Sequence, residues 1–355
     1  MDKYRIDSHK LIFHPARTAQ FFETGDCYPL YVEVSPTGAC NHRCRFCALD
    51  FAGYQKRQLD AALLGHRLEE MGRLGVKSVM YSGEGEPFLH PELSDILVWT
   101  KRAGIDASVT TNGVLIKLQE LDSILANTSW IKISINAGQE ETYQRIHRTK
   151  KSDFEQVFAN LAAAAERKEQ RGYDCTLGMQ LLLLPENAKE VTTLAKRARD
   201  AGADYLVVKP YSQHPQSQTT EYQDCNYENY SALAEELSTY STENFDVIFR
   251  GNAMEKWDGG ERTYNRCLGT PFWSYIDAGG NVWACSMYLN QGQFLFGNIA
   301  EHSFEEIWQG EKRRSVLEHI HHHLDATECR TNCRMDEINN YLWRIKHPLP
   351  HDNFI

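Results

Sequence analysis

From about residue 31 the chain alternates short β-branched or apolar runs with longer stretches whose apolar residues recur at helical spacing. The short runs predict strands at 31–35, 76–82, 105–110, 130–135, 176–184 and 205–209. Between them, 59–74 and 186–201 carry helical stripes; in the second, Val191, Leu194, Ala195 and Ala198 fall on one face. Such alternation predicts βαβ units and a parallel sheet. Six units fall short of an eight-fold barrel, which leaves an open partial barrel or a doubly wound sheet.

After about residue 215 the pattern changes. A polar stretch over 216–226 leads to an amphipathic helix near 230–239. A hairpin follows, 273–277 to 282–285, around Ala278-Gly279-Gly280-Asn281, turn residues that suit positive φ. Helical patterns recur near 304–308, 313–319 and 335–345. The expected organisation is an N-terminal segment over 1–30, a barrel over 31–215, a linker and helix over 216–250, and a smaller α+β unit over 251–355.

Residues unlike packing material all follow the predicted strands. A cysteine-bearing loop follows the first, Gly83-Glu84-Gly85-Glu86-Pro87 the second, Thr111-Asn112-Gly113 the third, Asn136-Ala137-Gly138 the fourth, Pro185-Glu186-Asn187 the fifth and Pro210 to His214 the sixth. Ligands of parallel sheets bind at the C-terminal strand ends, so one rim is expected to carry the site.

Charge and composition narrow the classes. With 48 acidic against 38 basic residues the formal charge is −10, and no long Lys/Arg block is present. Nucleic acid, and RNA modification with it, is disfavoured. The first residues are charged where a signal peptide is apolar, and apolar runs such as 181–184 are too short to span a bilayer. A cytoplasmic protein without a membrane partner is expected, and its ten cysteines then read as metal ligands or redox groups rather than disulfides.

Three of them stand as Cys40-Asn41-His42-Arg43-Cys44-Arg45-Phe46-Cys47. Three thiolates at this C-x3-C-x2-C spacing can hold three irons of a cubic 4Fe–4S cluster and leave the fourth iron open. Structural zinc wants four closed ligands, and His42, between two cysteines, would strain the loop to supply the fourth. The spacing, with Phe46 before the last cysteine, resembles the radical S-adenosylmethionine (radical SAM) superfamily. The resemblance implies that the open iron chelates the amino and carboxylate groups of S-adenosylmethionine. An electron then splits the sulfonium to a 5'-deoxyadenosyl radical, which abstracts hydrogen from substrate. It also implies a partial (β/α)6 barrel and a low-potential electron donor of flavodoxin or ferredoxin type.

Beside that loop, Gly83-Glu84-Gly85-Glu86-Pro87 resembles the family's Gly-Gly-Glu motif, which positions the methionine amino group. By itself it is a glycine turn after a strand. Gly83 and Gly85 would let backbone approach the ligand, and Glu86 matches the motif's carboxylate, able to accept hydrogen bonds from an ammonium. Thr111, Asn112, Ser134 and Asn136 fall where the family contacts the cofactor's ribose and carboxylate, although hydroxyls at strand ends often only cap helices. Lys209 is expected to contact cofactor or substrate.

The late cysteines, Cys267, Cys285, Cys329 and Cys333, fit either a closed zinc site or a cluster. With Gly280, Gly297-Asn298-Ile299 and Glu306-Ile307-Trp308 they resemble the twitch domain, a shortened SPASM domain holding one auxiliary 4Fe–4S cluster. Two clusters are thus expected. The x3 gap between the last pair departs from some relatives and leaves open whether all four are ligands.

For substrate, the 209–215 stretch offers Tyr211, Gln213 and His214, and Tyr81 and Gln180 are expected to point into the barrel. Cys225 could return a hydrogen atom to a substrate radical. Cys27 and Cys175 read as packing. The expected activity is oxidation, epimerisation or rearrangement of a small polar molecule: a sugar, aminocyclitol or nucleotide-sugar. The alternatives are a peptide-modifying maturase and a non-catalytic iron–sulfur or zinc protein.

Overall fold

The computed structural model describes residues 3–259 and 262–354. All its strands join one sheet: β1 Tyr31–Val34, β2 Ser78–Tyr81, β3 Asp106–Thr111, β4 Trp130–Ser134, β5 Thr176–Leu183, β6 Tyr205–Pro210, β7 Asp246–Phe249, β8 Trp273–Ile276, β9 Asn281–Trp283 and β10 Leu295–Asn298. The order is β10-β9-β8-β1-β2-β3-β4-β5-β6-β7. From β8 through β7 every neighbouring pair is parallel, and β9 and β10 close the far edge antiparallel. This is the α/β parallel architecture expected, with two additions. A seventh parallel strand, β7, lies in the stretch expected to be a linker; four residues between polar flanks are too short to register as a periodic pattern. The late hairpin pairs with β1 through β8, so it continues the barrel sheet.

Alternation along each strand sorts the side chains. Val32 and Val34, Val79 and Tyr81, Ile131 and Ile133, and Leu206 and Val208 join Leu64, Ile96, Leu161 and Leu194 of the helices in the main core. Each fully buried aliphatic side chain there contributes about 1.5–3 kcal/mol. Tyr81 belongs to this face: it is fully buried and its hydroxyl hydrogen-bonds Thr100 Oγ1 in the helix Leu93–Arg102. The expectation that Tyr81 points into the barrel is thereby corrected; one register step decides it. The opposite residues, among them Ser108, Thr110, Lys132, Ser134 and Gln180, line the lumen. Its floor is apolar, with Tyr205, Val207 and Ile248 packed against Tyr4 and Ile6 of the N-terminal segment.

The helix Ala61–Arg73 starts where Asp60 accepts the Leu63 amide, and Phe304–Gln309 starts with a reciprocal Ser303–Glu306 capping box. The N-terminal helix Pro15–Thr24 brings Phe21 against Leu268, Phe272 and Trp273. Buried Arg313 makes a two-pronged pair with Asp26 and stacks 3.9 Å over the Trp308 ring, which fastens the last helices to the N-terminal segment. Among the described residues no helix is long and apolar enough to cross a membrane.

Candidate active site

The loop that leaves β1 carries Cys40, Cys44 and Cys47, all free thiols. It is held from several sides. The Arg43 and Arg45 amides donate to the carbonyls of His147 and Ile146, and the Glu86 amide donates to Ala39 O at 2.8 Å. The Asp50 carboxylate accepts from the Gln218 and Thr219 amides, and Ser217 Oγ donates to Cys47 O. The three thiols lie close enough to raise one another's pKa, although among the described residues the three do not all lie within 4.8 Å of one another. Burial pushes Cys40 up to about 12, with Glu86 and Cys47 adding to the shift. Burial likewise raises Cys44 well above the usual thiol range, then Cys47 and Cys40. Such a site holds thiolates only when metal charge compensates them, as iron of a cluster does.

Residues 83–87 act on this loop rather than on open space. A side chain at Gly85 would meet Ala39 O at 2.1 Å and Thr37 O at 2.5 Å, and one at Gly83 (φ +107°) would meet the Tyr275 hydroxyl and Ser35. Both glycines serve close contact between chain segments. Glu86 is 2% exposed. Its Oε1 accepts from Thr111 Oγ1 (2.6 Å) and the Phe88 amide, and its Oε2 accepts from the Asn112 amide (2.7 Å). Burial raises its pKa and these three donors oppose the rise. Asn112 Nδ2 in turn donates to Asn41 Oδ1, within the cysteine loop. Glu86, Thr111 and Asn112 therefore form a brace that fixes the loop.

Asn136 takes a left-handed backbone (φ 48°), its Oδ1 accepts the Leu182 amide and its carbonyl accepts from Asn187 Nδ2. These bonds close the β4–β5 edge, and its Nδ2 lies 3.5 Å from His147 Nε2. Ser134 and Gln180 sit side by side in register on β4 and β5, on the lumen face. Lys209 lies on that face of β6 next to Leu182. Tyr211 donates to Gln213 Oε1, Gln213 donates to the His214 and Thr219 carbonyls, and His214 reaches Ser286 O and stacks on Phe51. These three bond to one another and to the chain and shape the wall after β6. Cys225 is half-buried beside Tyr222 and Trp257, and burial raises its thiol pKa.

Sequence reasoning missed His147. Its Nε2 lies 2.9 Å from Ile135 O and its Nδ1 3.4 Å from Cys44 Sγ, so an Nε2–H tautomer presents a lone pair to the thiol. His42, Cys44 and His147 place ligand atoms within 4.8 Å of one another. A lone histidine at the end of a helix carries no sequence signal of this contact. A cleft of about 470 Å³ opens beside Cys44 between Arg43, Tyr54, Arg148 and residues 218–221.

The late cysteines also converge. Cys285 and Cys333 are each perturbed by burial first and then by the other cysteines of the set. Asn339 Nδ2 lies 3.7 Å from Cys267 Sγ, the Met335 amide 3.4 Å from Cys333 Sγ, and the Tyr288 hydroxyl 3.1 Å from Cys329 Sγ. Among the described residues no three of these thiols lie within 4.8 Å of one another. Zinc with Zn–S bonds of 2.3 Å would gather tetrahedral thiolates to about 3.8 Å apart, tighter than this set.

Residues 34–198 match the radical SAM superfamily, and residues 267–334 match an iron–sulfur cluster-binding domain, SPASM. The chain carries a radical SAM domain followed by a SPASM/twitch-type domain. Among curated relatives, it is 35% identical to the GTP 3',8-cyclase of Chlorobaculum tepidum over 36% of its own length, spanning 38% of the cyclase. It is 23% identical to the AdoMet-dependent heme synthase of Methanosarcina barkeri over 79% of its length and 82% of the relative. In fold it is similar to Streptococcus suis SuiB bound to precursor peptide SuiA, with TM-score 0.66 and 18% identity over 85% of this chain and 70% of that one. It is also similar in fold to anSMEcpe with bound AdoMet, with TM-score 0.56 and 16% identity over 81% and 82% of the two chains.

Proposed function

We propose that the enzyme oxidises, epimerises or rearranges a small polar molecule of the sugar, aminocyclitol or nucleotide-sugar kind, using S-adenosylmethionine and two 4Fe–4S clusters. The observation that supports this substrate class is the lumen: hydroxyls of Ser108, Thr110 and Ser134 and the Gln180 amide face inward above an apolar floor. Such a surface suits a polyol. In this reading Cys40, Cys44 and Cys47 hold the first cluster, and Cys267, Cys285, Cys329 and Cys333 the auxiliary one. When bound, the cluster and S-adenosylmethionine supply one-electron cleavage of the sulfonium to a 5'-deoxyadenosyl radical that takes hydrogen from substrate. The chain's part is to fix the cysteine loop through the Glu86 brace and Gly85, and to shield the lumen floor from water with Tyr4, Ile6 and Tyr205.

Exposed Arg43 and Arg148 flank the Cys44 cleft and give an acidic flavodoxin or ferredoxin a complementary landing site. The test is iron content of the anaerobically purified protein, coupled to 5'-deoxyadenosine formation with sugar, aminocyclitol, nucleotide-sugar and peptide panels. About eight irons per chain and stimulation by a small polyol support the reading. Stimulation by peptides alone sinks it.

A further inference from the structure

Two lysines face the lumen without a partner anion among the described residues. On β4, Ile131 and Ile133 belong to the helix-side core, so Lys132 between them faces inward; on β6, Leu206 and Val208 do the same for Lys209. Neither ammonium has a hydrogen bond to, or an ion pair with, another described residue. The one ring contact is Lys132 Nζ, 5.2 Å from the centre of its neighbour Trp130. Both side chains keep some accessible surface although strands and loops enclose them, so that surface belongs to the interior space of the barrel.

The neighbours deepen the imbalance. Arg250 from the end of β7 is paired with Asp7 at 3.0 Å, and Arg334 is paired with Glu33, whose other oxygen accepts from Ser82. Arg330 stands at the mouth, its guanidinium donating only to the hydroxyl and carbonyl of Ser212. Burial first, and then Lys132, Arg250, Arg330 and Arg334, press the Lys209 pKa well below its usual value. Lys132 is pushed down to about 8 by burial and then by Arg334 and Arg250, with Glu33 opposing. Two enclosed amino groups without partners are a standing cost to the fold, whether charged or neutral. Surface lysines would avoid it, so a ligand that offsets the cost is the physical reason to keep them.

We propose that the lumen binds an oxyanion carried by the substrate, a phosphate or a carboxylate, held between Lys132 and Lys209 with Arg330 at its outer edge. The proposal rests on the reading of the lumen as the chamber of a small substrate. Lysines suit this task as compact point charges with several donors each. Arg330 lies next to Cys329, where it also faces thiolate charge, so the two lysines carry the recognition.

The test is calorimetric titration of the anaerobic, cluster-loaded enzyme with inorganic phosphate and, separately, with succinate. One equivalent of at least one anion binds wild type, and K132M/K209M binds it at least tenfold more weakly; which anion binds identifies the group. K132R/K209R keeps binding within a few fold. The methionine pair also melts at the same temperature as wild type or higher, because it removes partnerless enclosed amino groups, whereas a purely structural role for the lysines would lower it. Failure of both anions to bind wild type, or equal binding by K132M/K209M, overturns the proposal. If a neutral aminocyclitol is turned over while neither anion binds, the small-substrate reading stands and the anion site falls. If only peptides stimulate the enzyme, the small-substrate reading falls while the titration still decides the anion site.

Discussion

Replacing Gly85 by alanine tests whether the glycine exists for the cysteine loop or for a ligand. The added carbon would lie 2.1 Å from Ala39 O and 2.5 Å from Thr37 O, both backbone atoms of the loop that carries Cys40. An ordinary carbon–oxygen contact needs about 1 Å more room, and backbone cannot swing aside as a side chain can. Moving Ala39 stretches the 2.8 Å bond from the Glu86 amide and loosens Thr37 O from Ser35 Oγ. Overpacking of this kind costs about 1–3 kcal/mol, and a buried amide left without its acceptor about 1–3 kcal/mol more. G85A is therefore expected to lose about 2–6 kcal/mol. The loss should fall on the first cysteine set, so iron content drops by about half while the C-terminal module, whose contacts are untouched, keeps its metal. G292A, where nothing lies within 4 Å of the new carbon, serves as control and should stay within about 0.5 kcal/mol of wild type. Melting temperature, iron analysis and 5'-deoxyadenosine yield read the outcome. A G85A protein with full iron and unchanged deoxyadenosine yield would refute the claim that this contact fixes the loop.

Three further outcomes are expected. Asn187→Ala removes buried bonds to Asn136 O, Leu182 O and the Leu184 amide, and should destabilise by about 2–4 kcal/mol in denaturant titration. His214, pushed down to about 4 by burial, is neutral in the fold and protonates more readily when unfolded. Its contribution is complete above about pH 6.5 and fades as pH falls toward 4, with a slope of up to about 1.4 kcal/mol per pH unit. The fall in melting temperature over that window should be shallower in H214Q; an identical profile would remove His214 from the account. Arg148→Glu should slow reduction by an acidic flavodoxin about tenfold at low salt, with the two rates converging as salt is raised. A rate difference that persists at high salt would point away from steering.

The parallel sheet was legible because its strands are buried on the helix side by β-branched and aliphatic runs, which leave a periodic trace in the chain. β7 and β10 left none: one is four residues between polar flanks, and the other contains Gly297 at a register shift. At the site, residue type predicted position on the rim but not the direction of the side chain. Tyr81 ends β2 and Gln180 lies in the second half of β5, yet one turns to the helices and the other inward. The structural bonds of Glu86, Asn112 and Asn136 were not legible in the sequence, for a physical reason. Polar residues at strand ends must first satisfy the backbone of adjacent loops, and only the structure shows what capacity remains.

The departure from the familiar glycine motif, Glu84 between Gly83 and Gly85, has a structural meaning of its own. Glu84 is buried, its Oε1 accepts from Arg57 Nη2 at 2.7 Å and its Oε2 from the Ala278 amide at 3.0 Å, in the turn between β8 and β9. The residue thus ties the loop after β2 to the hairpin that leads into Cys285. The same two regions are joined by the β1–β8 pairing, by Arg334 with Glu33 and by Gln216 Nε2 with Met287 O. A hinge between two independent units would have a solvated, weakly bonded crossing. Here a continuous sheet, ion pairs on buried carboxylates and hydrogen bonds to backbone cross instead, so the two cysteine sets are held in one framework. That framework accounts for a carboxylate where a plain glycine turn would need none.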